Sequence, residues 1–196
     1  MSTLSLAAGR PTLADRLVAR SLLSDALLVV GGAAFTGLLA QVVIPLQPVP
    51  ITGQTLAVLL VGSTLGAVRG ALAMVVYAVL GIVGVPWFSD ATSGWHIVAG
   101  PTGGYIVGFI LAAGLTGWLA QRQWDRRVVG AFVSFMAGTG VTFAIGLPWL
   151  AASLGLNLEQ TLNAGLYPFI IGGVIKALLA AGIIPLAWKL TDRFKK

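Results

Sequence analysis

Apolar residues gather along this chain in six stretches separated by short polar ones, a pattern that predicts a bundle of membrane helices. The stretches cover approximately residues 26–45, 54–68, 70–86, 100–120, 128–151 and 165–188. A membrane-spanning helix needs about 20 apolar residues, so the second and third stretches are short. Short, glycine-rich stretches are typical of tilted or broken helices around a cavity. We therefore predict an all-α integral membrane protein with six transmembrane helices.

The same pattern divides the chain into three parts. A six-helix transmembrane domain is predicted for residues 26–190, between a polar cytoplasmic leader at 1–25 and a basic cytoplasmic tail at 191–196. The leader lacks the apolar core and small-residue cleavage site of a signal peptide. Within the domain, the long apolar run that ends near Pro86 is divided at Arg69, which follows Gly66 and is interpreted as part of a turn.

Composition agrees with a membrane protein. The chain has 196 residues, of which 57% are hydrophobic and 9% are charged. Soluble domains carry about 25% charged residues, so the bilayer is the expected solvent of this chain. The sequence has no cysteine and a single histidine, and its predicted spans contain no acidic residue. We find no nucleophile–base pair, paired acids or metal cluster, and therefore expect neither an enzyme nor a cofactor or metal site.

The basic residues are distributed unevenly between the two sets of loops. Eleven of the twelve belong to the segments that are cytoplasmic if the N-terminus is inside, namely Arg10, Arg16, Arg20, Arg69, Arg122, Arg126, Arg127, Lys189, Arg193, Lys195 and Lys196. The predicted outer segments 46–53, 86–99 and 152–164 contain none. This positive-inside pattern predicts that both termini are cytoplasmic and that the chain resides in the cell membrane. It also explains the net charge of +6 without nucleic acid.

The twelfth basic residue, Lys176, is predicted to lie inside the sixth span. It stands about nine residues into that span, roughly 13 Å from the outer end at 1.5 Å per residue. One interpretation is a side chain that extends to the interface, but its stem reaches only about four helical residues. The other is that Lys176 faces the bundle interior and meets an anion. Because the predicted spans contain no carboxylate, that anion would be the ligand.

Further candidates lie in or beside the outer segments. Thr52, Gln54 and Thr55 supply neutral hydrogen-bonding groups at the start of the second span, although Thr52 could equally cap that helix. The aromatic residues of the second outer segment belong either to an interfacial belt or to a lid or wall over a flat ligand: Trp87, Phe88, Trp95 and Tyr105. The stretch that ends at Tyr105 reads G-P-T-G-G-Y and lacks the lysine and hydroxyl of a nucleotide-binding loop.

Small residues recur at four-residue spacing in several spans. In the first span the pair is Ala33 and Gly37. Such faces allow close helix contact, and packing within the chain is the default interpretation. A small face on the first span could also dock another membrane subunit.

Four sequence stretches together resemble the BioY family, the biotin-specific substrate-binding membrane subunits of energy-coupling-factor transporters. In order along the chain they read P-V-P-I-T-G-Q-T-L-A-V-L-L-V-G, Y-A-V-L-G-I-V-G-V-P-W-F, G-P-T-G-G-Y-I-V-G-F and Y-P-F-I-I-G-G-V-I-K. Each is weak alone, but their order and spacing are specific. The resemblance covers about residues 26–190.

The resemblance implies a six-helix fold that captures extracellular biotin near its outer face. It implies two kinds of partner besides the lipid bilayer: a transmembrane coupling subunit and two cytoplasmic ATPases. The coupling subunit would contact Ala33, Gly37 and Ala34 on the first helix. The alternative is a stand-alone secondary transporter or facilitator for another small carboxylate.

For the ligand we expect the carboxylate of biotin at Lys176. The remaining candidates are aromatic walls or hydrogen-bonding groups: Trp95, Tyr105, Tyr167, Gln54, Thr52, Asn163 and Gly103. The last family motif usually carries an aspartate three residues before the lysine, where this chain has Gly173. Lys176 therefore lacks its usual carboxylate neighbour, which strengthens the expectation that its partner is an anionic ligand.

Overall fold

A computed structural model describes residue 6 and residues 9–193, and they form a helical bundle with one small hairpin. The helices are α1 (Leu13–Leu17), α2 (Leu22–Ala40), α3 (Gln54–Leu65), α4 (Ala67–Ile82), α5 (Trp95–Ala99), α6 (Gly103–Gln121), α7 (Val128–Leu154), α8 (Leu158–Gly165) and α9 (Tyr167–Arg193). Two 3₁₀ turns, Ser89–Ala91 and Trp124–Arg126, lie between them. Parts of the predicted leader and tail fall outside the described residues.

Each of the six predicted apolar stretches coincides with one long helix. In the described part of the chain, four helices are long and apolar enough to cross a membrane: α2, α6, α7 and α9. The other two, α3 and α4, are apolar but shorter, with 12 and 16 residues. The prediction that the second and third stretches are short is therefore confirmed. Proline stands inside α7 and α9, at Pro148 and Pro185, without ending either helix.

The break between α3 and α4 falls at Gly66, and the interpretation of Arg69 as a turn residue was wrong. Gly66 has φ +89°, a conformation that glycine adopts without the steric cost a side chain brings. Its backbone also packs against α6, where a Cβ on Gly117 would lie 2.3 Å from the Gly66 carbonyl carbon. Arg69 stands one turn later, inside α4, and its side chain is buried.

Glycines bring the central helices into close contact. A Cβ on Gly62 of α3 would lie 2.5 Å from the carbonyl oxygen of Ala113 in α6. One on Gly70 of α4 would lie 2.9 Å from the Cα of Gly62. One on Gly108 of α6 would lie 3.0 Å from the Cα of Thr142 in α7. Most small-residue spacings therefore serve packing within this chain.

The small face of α2 is divided between the interior and the surface. Ala33 is fully buried, and Gly37 is covered by Trp87, whose Cβ would lie 3.0 Å from a side chain at that position. Ala34 is exposed. Ala33 and Gly37 therefore contact other residues of this chain, whereas Ala34 is exposed on the surface of the bundle.

One end of the bundle, which we call the basic end, contains a buried charge cluster around Arg69. Arg69 donates from Nη1 to Asp25 at 3.1 Å and from Nη2 to Asp15 at 2.9 Å and to Thr12 at 3.0 Å. Its Nε donates to the Leu65 carbonyl. Residues of the predicted leader are therefore attached to α4. Helix α2 begins early enough to include Asp25, which the sequence prediction left outside the first span.

The other end, the pocket end, is built from a hairpin, loops and short helices. Strands β1 (Val43–Ile44) and β2 (Ile51–Thr52) pair antiparallel, with Val43 opposite Thr52. The predicted first span had included residues 41–45, but the helix ends at Ala40 and the chain turns into this hairpin. The connection contains a cis peptide bond before Pro48. The hairpin delivers Thr52 directly to the start of α3.

Candidate functional site

A pocket at the pocket end joins the start of α3 to α6, α7 and α9. Its enclosed volume is about 50 Å³. Its polar lining includes one ammonium group and neutral side chains: Lys176, Thr52, Gln54, Thr55, Ser89, Thr102 and Thr142. Its aromatic lining is Phe88, Tyr105, Phe109, Phe143 and Phe169. No carboxylate from the described residues lines this pocket.

Lys176 projects from α9 toward the start of α3. Its Nζ donates to the backbone carbonyl of Thr52 at 2.5 Å and to Oγ1 of Thr55 at 3.0 Å. Both acceptors are neutral, and among the described residues Lys176 forms no ion pair. A half-buried ammonium with only neutral acceptors attracts an anion more strongly than one that a carboxylate already balances.

A short hydrogen-bonded chain fixes the residues opposite Lys176. Thr52 donates from Oγ1 to Oε1 of Gln54 at 2.7 Å, and Gln54 donates from Nε2 to the hydroxyl of Tyr77 at 2.5 Å. The Thr52 hydroxyl also accepts the backbone N–H of Gln54 at 3.3 Å. Thr52 precedes the N-cap residue of α3, which is Gly53, so the capping interpretation of Thr52 was wrong. Its carbonyl, which sequence reasoning did not consider, is the group that contacts Lys176.

Three rings form one wall of the pocket. Tyr105 lies edge-on to Phe143, with centroids 5.9 Å apart, and stacks at 6.5 Å on Phe169. The Tyr105 hydroxyl donates to the Gly165 carbonyl at 3.0 Å. That bond fixes the start of α6 against the end of α8. The wall is therefore a fixed apolar surface beside a polar one, which suits a ligand with an apolar body and an anionic end.

The loop after α4, residues 83–94, covers the pocket. Phe88 is 1% exposed and packs on Gly81, where a Cβ would lie 2.2 Å from the ring. Gln41, after the end of α2, holds the loop from two sides. It donates to the Phe88 carbonyl at 3.0 Å and accepts from the Ala91 N–H at 2.9 Å. These bonds fix the position of the loop at the pocket.

The structure brings together four of the predicted site residues. Lys176, Gln54, Thr52 and Tyr105 all line the pocket. Gly103 is buried beside it, where a Cβ would overlap the Val98 carbonyl, so its role in the structure is close packing.

The other three predicted residues do not line the pocket. Trp95 is 65% exposed and Tyr167 is 53% exposed. Asn163 is exposed on α8. Outer-segment aromatic and amide groups were candidates on composition alone, and composition does not give the direction in which a side chain points.

Sequence reasoning missed several pocket residues as site candidates. Phe169 and Lys176 are seven residues apart, two turns of α9, and therefore share a helix face. That spacing could have identified Phe169. Nothing local distinguishes Phe143, because its position follows from the packing of α6 against α7.

Gly173, where the family aspartate would stand, also has a defined environment. A Cβ at this position would lie 3.6 Å from Cγ2 of Thr139, an ordinary contact distance. Gly173 lies one turn before Lys176 on α9. A side chain is therefore sterically allowed here, and its absence leaves Lys176 without a carboxylate on the adjacent turn.

Comparison with known proteins gives a consistent result. The model of the BioY family matches residues 10–193. The chain is 38% identical over 152 residues to "Biotin transporter BioY" of Rhizobium etli, covering 74% of this chain and 81% of that protein. It is 35% identical over 148 residues to "Biotin transporter BioY2" of Lactococcus lactis subsp. cremoris, covering 76% and 81%.

Another relative and a solved structure show the same similarity. "Biotin transporter BioY" of Thermotoga maritima is 36% identical over 150 residues, covering 75% of this chain and 87% of that protein. The crystal structure of an S-component for biotin from an ECF-type ABC transporter matches with a TM-score of 0.77 at 24% identity. That match covers 85% of this chain and 92% of the solved one, and it confirms the fold.

Proposed function

Because this chain belongs to the BioY family, we propose that it is a biotin-binding membrane subunit that captures extracellular biotin for an energy-coupling-factor transporter. The observation that carries this proposal is the Lys176 ammonium, which meets only neutral oxygens in a pocket with aromatic walls. Biotin combines a carboxylate on a flexible chain with an uncharged bicyclic ring. Its carboxylate matches the Lys176 ammonium, and its ring matches the aromatic wall of the pocket.

In the proposed complex the carboxylate of biotin pairs with Lys176. The ring system lies against Tyr105, Phe143 and Phe169, and the Thr52–Gln54 pair is within the same pocket to bond polar ring atoms. An enclosed volume of about 50 Å³ holds only a few water molecules. Biotin therefore requires the pocket to widen, and the loop at residues 83–94 is the segment that would open.

The proposal includes a topology. Six helices, α2, α3, α4, α6, α7 and α9, would occupy the cell membrane, with both termini in the cytoplasm and the pocket facing outward. The distribution of eleven of twelve basic residues supports this orientation. Short α3 is mostly buried between other helices, so it does not need to span the hydrocarbon layer by itself.

The proposal also includes partners. A coupling subunit and two ATPases would supply energy, because we found no nucleotide-binding motif in the sequence. On α2 the exposed Ala34 is the residue of the predicted docking face that a partner reaches directly, with Ala33 and Gly37 beneath it. Uptake by vesicles that contain this chain alone would favour the alternative, a stand-alone carboxylate transporter.

The test of ligand identity is calorimetric titration of the purified, detergent-solubilised chain with biotin and with biotin amide. We expect tight binding of biotin and a large loss of affinity for the amide, which lacks the negative charge. Equal affinity for both would remove Lys176 from the proposed mechanism but retain biotin. Failure of both to bind would refute biotin as the ligand.

A further inference from the structure

A cleft at the basic end lies between the end of α6 and the start of α7, away from the ligand pocket. Its volume is about 650 Å³. Arg122, Arg126 and Arg127 line it together with Trp124 and Val129. We call it the arginine cleft. Nothing in the proposed capture of biotin uses these residues.

The cleft presents three positive charges, which the neighbouring acid offsets only in part. Arg122, Arg126 and Arg127 form no ion pair within the described residues. The acid beside them, Asp125, is 1% exposed and turned inward, where it accepts from Nε1 of Trp188 at 2.7 Å. The cleft therefore favours an anion.

Two of the arginines are already positioned by aromatic rings. The Arg122 guanidinium lies 3.6 Å from the centroid of Trp118, and the Arg126 guanidinium lies 4.4 Å from that of Trp188. Stacking uses the flat face of a guanidinium and leaves its N–H edge available for a phosphate or carboxylate. The Nε of Arg126 is buried and has no hydrogen-bond partner among the described residues. The rings therefore hold the guanidinium groups of Arg122 and Arg126 in place, and the described residues leave N–H groups of these arginines without an acceptor.

The start of α7 adds to this preference. Arg127 is its N-cap residue and makes no side-chain capping bond. The first backbone N–H groups of a helix have no partner within the helix and carry the positive end of its dipole. Since α7 has 27 residues, this terminus belongs to a long, stable helix. The arginine side chains and the backbone N–H groups at the start of α7 therefore lie at the same end of the cleft.

Apolar side chains continue directly from the charged part of the cleft. Val129 is 76% exposed and Val133, one turn later on the same face of α7, is 47% exposed. Trp124 is also exposed. A soluble anion would leave these groups without a partner. A molecule with an anionic head and apolar chains would cover both parts.

We propose that the arginine cleft binds an anionic phospholipid. Its phosphate contacts Arg122, Arg126 and Arg127, and its acyl chains run along Val129 and Val133. The bound lipid fixes the α6–α7 connection at the membrane surface. This inference does not depend on which ligand the pocket at the other end takes.

The test uses the full chain in detergent and native mass spectrometry. Phosphatidylglycerol and phosphatidylcholine with identical acyl chains are titrated, with glycerol phosphate as a chain-free anion. The cleft variant carries Arg122→Gln, Arg126→Gln and Arg127→Gln. The matched control removes the same charge elsewhere through Arg10→Gln, Lys189→Gln and Arg193→Gln, all at exposed positions.

We expect phosphatidylglycerol to bind the unmodified chain and the control alike, and roughly tenfold to a hundredfold more weakly to the cleft variant. Phosphatidylcholine and glycerol phosphate should bind weakly to all three. Equal losses in the cleft variant and the control would overturn the proposal, because general positive charge would then suffice. Equal binding of both lipids, or binding of glycerol phosphate as tight as that of phosphatidylglycerol, would also overturn it.

A second measurement needs no cleft variant and covers the case in which that variant does not fold. Brominated acyl chains quench tryptophans within contact distance, and Trp118 and Trp124 border the cleft and are exposed. In unmodified protein, brominated phosphatidylglycerol should quench more than brominated phosphatidylcholine at the same mole fraction, and Trp124→Phe should reduce that difference. Equal quenching by the two lipids would contradict the proposal. The cleft would then be interpreted as a binding site for an acidic protein segment.

Discussion

Two basic side chains point into the bundle at opposite ends, and they are balanced in different ways. Arg69, at the basic end, contacts two carboxylates and uses Nε, Nη1 and Nη2 in hydrogen bonds. Lys176, at the pocket end, contacts a carbonyl and a hydroxyl. The chain is thus able to neutralise a buried base with its own acids, and among the residues that the structure describes it does so for Arg69 and not for Lys176.

We interpret this difference as one between a structural role for Arg69 and the binding role proposed for Lys176. Arg69, whose carboxylate partners belong to the chain, stabilises the connection between the leader and α4. Its charge is already balanced by Asp15 and Asp25. A base with neutral acceptors keeps its net charge for a ligand to match. The electrostatics of Asp15 illustrate the first case. Burial raises the pKa of its carboxyl. Hydrogen bonds from Arg20 and Thr12 and the charge of Arg69 lower this pKa by more than burial raises it, so the net shift is downward.

Breaking the balanced end should produce the largest effect. Arg69→Met leaves Asp15 and Asp25 buried without their shared cation, so we expect the free energy of unfolding to fall by about 3–5 kcal/mol. Thermal or denaturant unfolding in detergent measures this loss. Arg193→Met, at an exposed position of α9, is the control and should change little. A loss below about 1 kcal/mol would show that the cluster is not structural.

Removing the base at the pocket end should act on binding instead. Lys176→Met is expected to weaken biotin binding by about 1.5–3 kcal/mol, the scale of a charged hydrogen bond. Without ligand its stability should be unchanged or higher, because a desolvated charge without a carboxylate is removed. Calorimetry and thermal unfolding give the two values. Lys189→Met on the same helix is the control, and a large loss of ligand-free stability in Lys176→Met would contradict the comparison.

The basic end should respond to pH through Asp125. Burial raises the pKa of this carboxyl to about 6, which a hydrogen bond from Trp188 and the charge of Arg126 offset only in part. The folded state therefore binds the proton more tightly than the unfolded state. Stability should rise as pH falls from 7 to 5, by slightly more than about 1 kcal/mol.

Asp125→Asn isolates this contribution because it keeps an acceptor for Trp188 and does not titrate. The difference in unfolding free energy between the two proteins should depend on pH between 7 and 5. A pH-independent difference would mean that Asp125 does not titrate in this window.

The smallest expected effect concerns the neutral acceptor of Lys176. Thr55→Val removes one hydrogen bond without changing side-chain shape, so the free energy of unfolding should fall by about 1 kcal/mol or less. Thr64→Val on the same helix is the matched control, and unfolding in detergent is the measurement. A loss as large as that of Arg69→Met would mean that both ends depend equally on their internal partners.

Much of the fold could be predicted from the sequence because apolar periodicity and charge position are local properties. The six stretches, the short second and third helices and the break near Gly66 all follow from residues close in the chain. The role of Arg69 does not. Its partners Asp25 and Asp15 lie 44 and 54 residues away, so a charge that looked interfacial is buried.

The site was predicted for the residues whose chemistry is unusual in a membrane. Lys176 stood out because it is charged, and Gln54 and Thr52 because they are polar beside a span. Phe143 did not, because its place in the pocket depends on how α6 packs against α7. Trp95 and Tyr167 were chosen for their rings, but their backbone positions direct those rings outward. Unusual chemistry identified Lys176 as a pocket residue, whereas the position of Phe143 in the wall could be identified only from packing.

The depth of Lys176 has an electrical consequence. Helix α9 begins at Tyr167, and Lys176 follows nine residues later, about 13 Å along the helix axis. In the orientation proposed above and a hydrocarbon layer about 30 Å thick, an anion that reaches this ammonium from outside would cross nearly half of the transmembrane voltage. A full crossing costs about 2.3 kcal/mol per charge at 100 mV, so binding in an energised cell should be weaker by about 1 kcal/mol. Oriented proteoliposomes should accordingly show a displacement current when biotin is added and none with biotin amide.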